Sequence, residues 1–160
     1  MPSLQLDHGR KNPDREAYQA HVGTLRGKSV GFIRIKSSNP REHPLIDPKY
    51  FTHPEDLPDM VTAVKLTREI LAQKAFDDFR GDEIAPGINA KSDKEIGNWI
   101  METCETEYHP SCSAKMGKEN DPLAVVDSQC RVYGVQNLRV VDASIMPSVA
   151  SGKQVAYSIC

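Results

Sequence analysis

Leu138-Arg139-Val140-Val141-Asp142-Ala143-Ser144-Ile145-Met146-Pro147 is the stretch on which the reading of this chain turns. Its first half is apolar and rich in β-branched residues, the pattern of a buried strand, and the strand stops at Asp142. Small polar residues, Ser148 to Gly152, follow the turn. An aspartate at a strand end has two uses. Its carboxylate can accept from a backbone N–H just ahead and cap the next turn. It can also face a ligand, together with neighbouring backbone N–H groups, as polar groups at strand ends do in open sheets. These residues alone leave both uses open.

Working outward, Ala124 to Asp127 and Arg131 to Tyr133 read as further short strands, separated by turns at Ser128 to Cys130 and Gly134 to Asn137. Lys28 to Ser37 reads as an earlier strand, with Val30, Phe32, Arg34 and Lys36 alternating against Gly31, Ile33 and Ile35. Pro44 and Pro48 bar a helix across His43 to Phe51, which reads as an extended connector. Pro54 to Lys74 carries the clearest helical period: Leu57, Met60, Val61, Val64 and Leu71 recur at three- and four-residue steps, and Leu66 and Ile70 widen the stripe. A second helix opens at Ser92, where Ser92 and Glu95 have capping-box spacing, and it fades near Glu105. Met1 to Thr24 has no period. Strands and helices mixed without regular alternation define an α+β fold, a partial sheet with flanking helices.

The bulk numbers narrow the function. A chain of 160 residues, 39% hydrophobic and 26% charged, suits one globular domain. Its net charge of −2 includes no Lys/Arg cluster, so no nucleic-acid partner is expected. No apolar run approaches the roughly 20 residues of a membrane span, and Met1 to Gly9 does not read as a signal peptide. The cysteines, Cys104, Cys112, Cys130 and Cys160, form no CxxC pair, so reduced thiols and no metal site are expected. The histidines, His8, His21, His43, His53 and His109, show no i,i+4 pairing of the kind that holds a metal on a helix.

Of these histidines, His109 has the most suggestive setting. It lies in Glu107-Tyr108-His109-Pro110-Ser111-Cys112, and Pro110 holds it extended. An imidazole is the side chain suited to accept a proton near neutrality. A serine hydrolase built from Ser111, His109 and Asp142 is a weak alternative, because Ser111 does not sit in a G-x-S-x-G elbow.

Four segments carry a resemblance: E-Y-H-P-S-C-S-A-K-M-G (Glu107 to Gly117), D-P-L-A-V-V-D (Asp121 to Asp127), R-V-Y-G-V (Arg131 to Val135) and the Leu138 to Pro147 stretch. Asp7-His8-Gly9, Lys65 to Ile70 and Ser92 to Ile96 extend it over nearly the whole chain. The sequence resembles the glucose–methanol–choline flavin oxidoreductases, above all their choline-oxidising branch, in the C-terminal substrate-binding part. The resemblance implies one domain over residues 1–160, with an irregular lead-in at 1–24, a main part at 25–160, and a final helix cut short after Ala156.

It further implies that His109 accepts the proton of a substrate alcohol while hydride passes to FAD, giving an aldehyde. Tyr108 would line the pocket for a trimethylammonium group, and Asp142 and Ala143 would approach the cofactor. Lys153 stands where the family carries its second catalytic residue, Asn or His, and Ala114 where close relatives carry cysteine. A lysine offers donors and a charge but no acceptor, and repels a cationic substrate. No G-x-G-x-x-G occurs in the chain, so the Rossmann turn that cradles FAD is expected elsewhere, in a missing FAD-binding domain, and the chain alone is expected to be inactive and free of flavin. The partners implied are an alcohol, choline among the candidates, and that FAD-binding domain; the location implied by the branch is mitochondrial. The competing reading is a truncated or degenerate non-catalytic paralogue, or an interaction module.

Overall fold

The computed structural model describes residues 15–150. The chain divides into two compact units, Met1–Thr24 with His53–Glu105, and Leu25–Thr52 with Thr106–Cys160. Two helices and a two-stranded antiparallel sheet make the fold α+β. The stretch expected to open a final helix falls outside the described residues, as does most of the lead-in.

The first unit is a helix pair. Helix α1 spans Asp56–Leu71, with Asp56 and Asp59 in its first turn and Arg68 in its last, the polarity that suits the helix dipole. Helix α2 spans Asp93–Thr103. The capping box read from the sequence is formed: Ser92 Oγ accepts from the Glu95 N–H, and the Glu95 carboxylate accepts from the Ser92 N–H at 2.8 Å. Those hydrogen bonds from Ser92, with help from the Lys91 N–H, hold the Glu95 carboxyl below its usual range. Val61, Val64, Ile96 and Ile100 form the buried core. The expected stripe is narrower than its period suggested, since Leu66 and Ile70 are exposed.

Gly97 is buried in α2 where the helices meet, and a Cβ built there lies 3.7 Å from Leu57 Cδ2 and 3.8 Å from Val61 Cγ2. These are ordinary contacts, so the site has room for a methyl group. Gly97→Ala is therefore expected to stabilise the protein by about 0.5–1 kcal/mol, the helix-interior difference between the two residues. A rise in the chemical-denaturation midpoint at unchanged slope is the check.

The second unit holds strands β1, Phe32–Arg34, and β2, Leu45–Asp47, paired antiparallel with Phe32 opposite Asp47 and Arg34 opposite Leu45. Two expectations need correcting. The strand read over Lys28 to Ser37 is paired over only three residues, and the segment read as a connector supplies its partner. Pro44 and Pro48 bar a helix, but they flank β2 instead of interrupting it, where a missing N–H costs no ladder bond. Gly31 permits the close approach: a Cβ there would sit 2.1 Å from the Asp47 carbonyl oxygen and 2.6 Å from Pro48 backbone.

The three short strands expected after Ala124 are also corrected. Only isolated bridges form, Met116 with Val126, Val126 with Val132, and Arg131 with Arg139. Left-handed backbone at Cys130 (φ 62°), Gly134 (φ 74°) and Asn137 (φ 59°) turns the chain too often for a ladder to run on. The turn positions were legible; the strands between them are too short to extend. Val126 is fully buried at the centre of this unit.

Candidate active site

The site residues lie in the second unit, on two segments joined by backbone. Cys112 N–H donates to the Ala143 carbonyl (3.3 Å), Ala114 N–H to Ser144 (2.9 Å) and Met116 N–H to Ile145 (2.8 Å). The His109 loop and the Asp142 turn are thus anchored side by side.

Between Glu107 and Cys112 the backbone is sharply shaped. Tyr108 (φ 60°) and Cys112 (φ 67°) both adopt the left-handed region, bracketing His109-Pro110-Ser111. A non-glycine residue there is uncommon, and such positions gather at functional loops. Thr106 Oγ1 accepts from the Tyr108 N–H at 3.0 Å and secures the bend. The Tyr108 side chain is 76% exposed, and His109 is half-buried.

At Asp142 the capping use is realised. The residue is extended (φ −155°) and N-caps the 3-10 turn Ala143–Ile145, with Oδ1 accepting from the Ser144 N–H at 2.8 Å. Hydrogen bonds from the Ser144 side chain and backbone hold the Asp142 carboxyl below the usual carboxylate range. Lys153 lies outside the described residues.

The bonds formed by Ser111 and Asp142 lend the hydrolase reading no support. Cys112 Sγ donates to Ser111 Oγ (3.3 Å), and Asp142 turns to Ser144. A G-x-S-x-G spacing does occur, at Gly27-Lys28-Ser29-Val30-Gly31, but it leads into strand β1 and not into a strand-to-helix turn.

Three polar anchors that the sequence reading passed over hold the scaffold under the site. Asp127 Oδ1 accepts from the N–H groups of Gln129 (2.8 Å) and Arg131 (2.9 Å), and its Oδ2 from Arg131 Nε (2.6 Å). The Arg131 backbone bond, followed by the bonds from its side chain and Gln129, keeps this carboxyl low. Lys115 Nζ pairs with Asp121 Oδ2 at 2.7 Å, and Tyr133 Oη donates to the Gly117 carbonyl at 2.9 Å. The signal available for Asp127 was an aspartate directly ahead of a turn, the pattern of side-chain-to-backbone closure.

With this geometry in hand, a sequence profile of the GMC oxidoreductases, covering their C-terminal domain, matches residues 27–159. The chain belongs to the GMC oxidoreductase family. It is 54% identical to mitochondrial choline dehydrogenase of Mus musculus over 95% of its own length and 26% of the relative's. With mitochondrial choline dehydrogenase of Homo sapiens the identity is 53%, over 99% and 27%. Oxygen-dependent choline dehydrogenase of Vibrio vulnificus is 45% identical, over 99% and 28%. The chain therefore spans about a quarter of the length of these relatives. Among solved structures, pyridoxine 4-oxidase from Mesorbium loti superposes with a TM-score of 0.78 at 32% identity, over 84% of this chain and 26% of that one. An FAD-dependent oxidoreductase from Chaetomium thermophilum gives 0.73 at 34% identity, over 80% and 22%. No helix among the described residues is long and apolar enough to cross a membrane.

Proposed function

We propose that this chain is the substrate-side part of an FAD-dependent oxidoreductase acting on CH–OH donors, with choline the first alcohol to consider. The observation that carries the reading is the trio of bonds from Cys112, Ala114 and Met116 to Ala143, Ser144 and Ile145, which anchors the loop bearing His109 beside the Asp142 turn. Identity above 50% to the two mammalian choline dehydrogenases supports the substrate class, and their mitochondrial names support the same location for this protein.

The residues fit the redox end of a flavin site: an imidazole and an exposed phenol ring on a shaped loop, next to a turn capped by Asp142. They do not include a glycine-rich phosphate turn, so the cofactor's pyrophosphate is assigned to polypeptide outside this chain. FAD, when bound, supplies the hydride acceptor. With FAD held by the whole protein, a ring nitrogen of His109 would accept the substrate hydroxyl proton, and the cofactor would supply the hydride acceptance that turns the alcohol into an aldehyde. Tyr108 offers a ring face to a quaternary ammonium, an attraction of roughly 0.5–2 kcal/mol. Asp142 and Ala143 set the turn that meets the cofactor.

One residue favours a second reading. Lys153 replaces the Asn or His of the family's second catalytic position, which is what a degenerate, non-catalytic paralogue would carry. Anaerobic mixing of the flavin-loaded protein with choline and with neutral primary alcohols separates the two. Bleaching of the flavin absorbance is expected, and Lys153→Asn is expected to raise the rate with choline by removing a like charge. A protein that holds FAD yet is bleached by no alcohol, with or without that substitution, is the paralogue.

A further inference from the structure

Asp77 to Lys91, an irregular segment of the helical unit, runs from the 3-10 turn Lys74–Phe76 that follows α1 to the start of α2. Apolar burial does not hold it: Phe79 and Ile88 are each 74% exposed, and Ile84 also faces outward. Its own backbone bonds are few, chiefly Arg80 N–H to the Phe76 carbonyl and Ala90 N–H to Gly87.

What holds it is a pair of arginines reaching in opposite directions. From α1, Arg68 Nε donates to both Glu83 oxygens at 3.1 Å and Nη2 donates to Glu83 Oε1 at 2.9 Å. The same guanidinium donates from Nη1 to the Ala90 carbonyl (2.8 Å) and from Nη2 to the Gly87 carbonyl (3.2 Å). From the segment, Arg80 Nη1 returns to the carbonyl of Leu71 (3.0 Å), the last residue of the helix, and to that of Gln73 (3.4 Å) just beyond it, while its Nη2 pairs with Asp77. The Arg68–Glu83 pair is only about 30% exposed, at 28% and 32%, so solvent screens it less than an open surface pair. A planar fork can serve a carboxylate and two carbonyls at once, whereas a lysine ammonium cannot match that geometry.

We infer that Asp77–Lys91 is an ion-latched strap, locked onto α1 by Arg68 and able to open as a unit while the helix pair stays folded. Segments with exposed apolar side chains and few backbone bonds occupy the low end of the local stability range, and here one guanidinium ties three separate points of the segment to the helix. The opened strap frees the Arg68 guanidinium and the Leu71 carbonyl at the end of α1 together.

The test is hydrogen exchange with limited proteolysis on the whole protein, comparing wild type, Arg68→Lys, Arg68→Met and Glu83→Gln. Cleavage after Phe79 or Arg80, and exchange at the Ala90 amide, are expected to rise roughly tenfold or more in both Arg68 variants, the scale of losing charge-assisted bonds. Glu83→Gln is expected to fall between them and wild type, and the Ile96 and Ile100 amides to keep their protection within about twofold. Equal loss of protection in strap and helices, or no change in the strap, overturns the latch.

Discussion

His109→Ala in the flavin-loaded protein is expected to slow flavin reduction by its alcohol substrate roughly 10²–10⁴-fold, the contribution of a positioned general base. That corresponds to about 2.7–5.4 kcal/mol of transition-state stabilisation. The loss should appear in kcat and kcat/KM alike, because proton acceptance matters only as the O–H bond breaks. Substitution at the preceding residue gives the contrast. Tyr108 is exposed, and in the proposed role its ring would serve ground state and transition state equally, so Tyr108→Ala should raise KM for a quaternary ammonium alcohol and leave kcat nearly unchanged. Stopped-flow reduction at saturating and limiting substrate separates the two effects. A His109→Ala protein that retains its FAD and is reduced within threefold of the wild-type rate would remove the histidine from the chemistry. The backbone shape argues that this variant folds, since the left-handed positions are Tyr108 and Cys112 and not His109.

Ile96→Ala is expected to cost about 2–5 kcal/mol, the range for emptying a fully buried aliphatic site. Ile96 is 0% exposed in α2, within the small core it shares with Val61, Val64 and Ile100. With so few buried side chains, neighbours cannot collapse into the space without giving up contacts of their own. Thermal unfolding should show the midpoint fall by roughly 4–20 °C at this chain length. Leu66→Ala is the matched control: Leu66 is 53% exposed on the opposite side of α1, and its replacement should stay within about 0.5 kcal/mol of wild type. Equal effects from the two substitutions would mean that the core is not where the burial pattern puts it.

Several features were legible without coordinates because they are local. Ser92 and Glu95 announce the start of α2 through bonds spanning three residues, and the box forms as read. The α1 period and the turns at Cys130, Gly134 and Asn137 were equally local. The Glu107 to Gly117 and Leu138 to Pro147 motifs carried the family. What misled was any inference from pattern to partner. Leu66 and Ile70 fit the helical stripe, yet each is left about half exposed, at 53% and 50%. The strand pattern at Lys28 to Ser37 could not say that only three residues would pair, nor that a proline-bounded segment would be the partner. The apolar period of α1 says nothing of Arg68, and only its reach to Glu83, Gly87 and Ala90 shows what it holds.

By itself, then, the sequence determined the helix spans and caps, the turn positions and the family, and it singled out His109 as the histidine proposed to accept the proton. Tertiary structure alone decided which apolar residues are buried, which strand pairs with which, and that the chain before Gly117 lies hydrogen-bonded against the turn that Asp142 caps. The division follows from range. Caps and turns are settled by bonds across two to four residues, whose partners are written next to one another. Burial and pairing depend on segments distant along the chain, and a periodic pattern states that a face needs a partner without stating which one arrives.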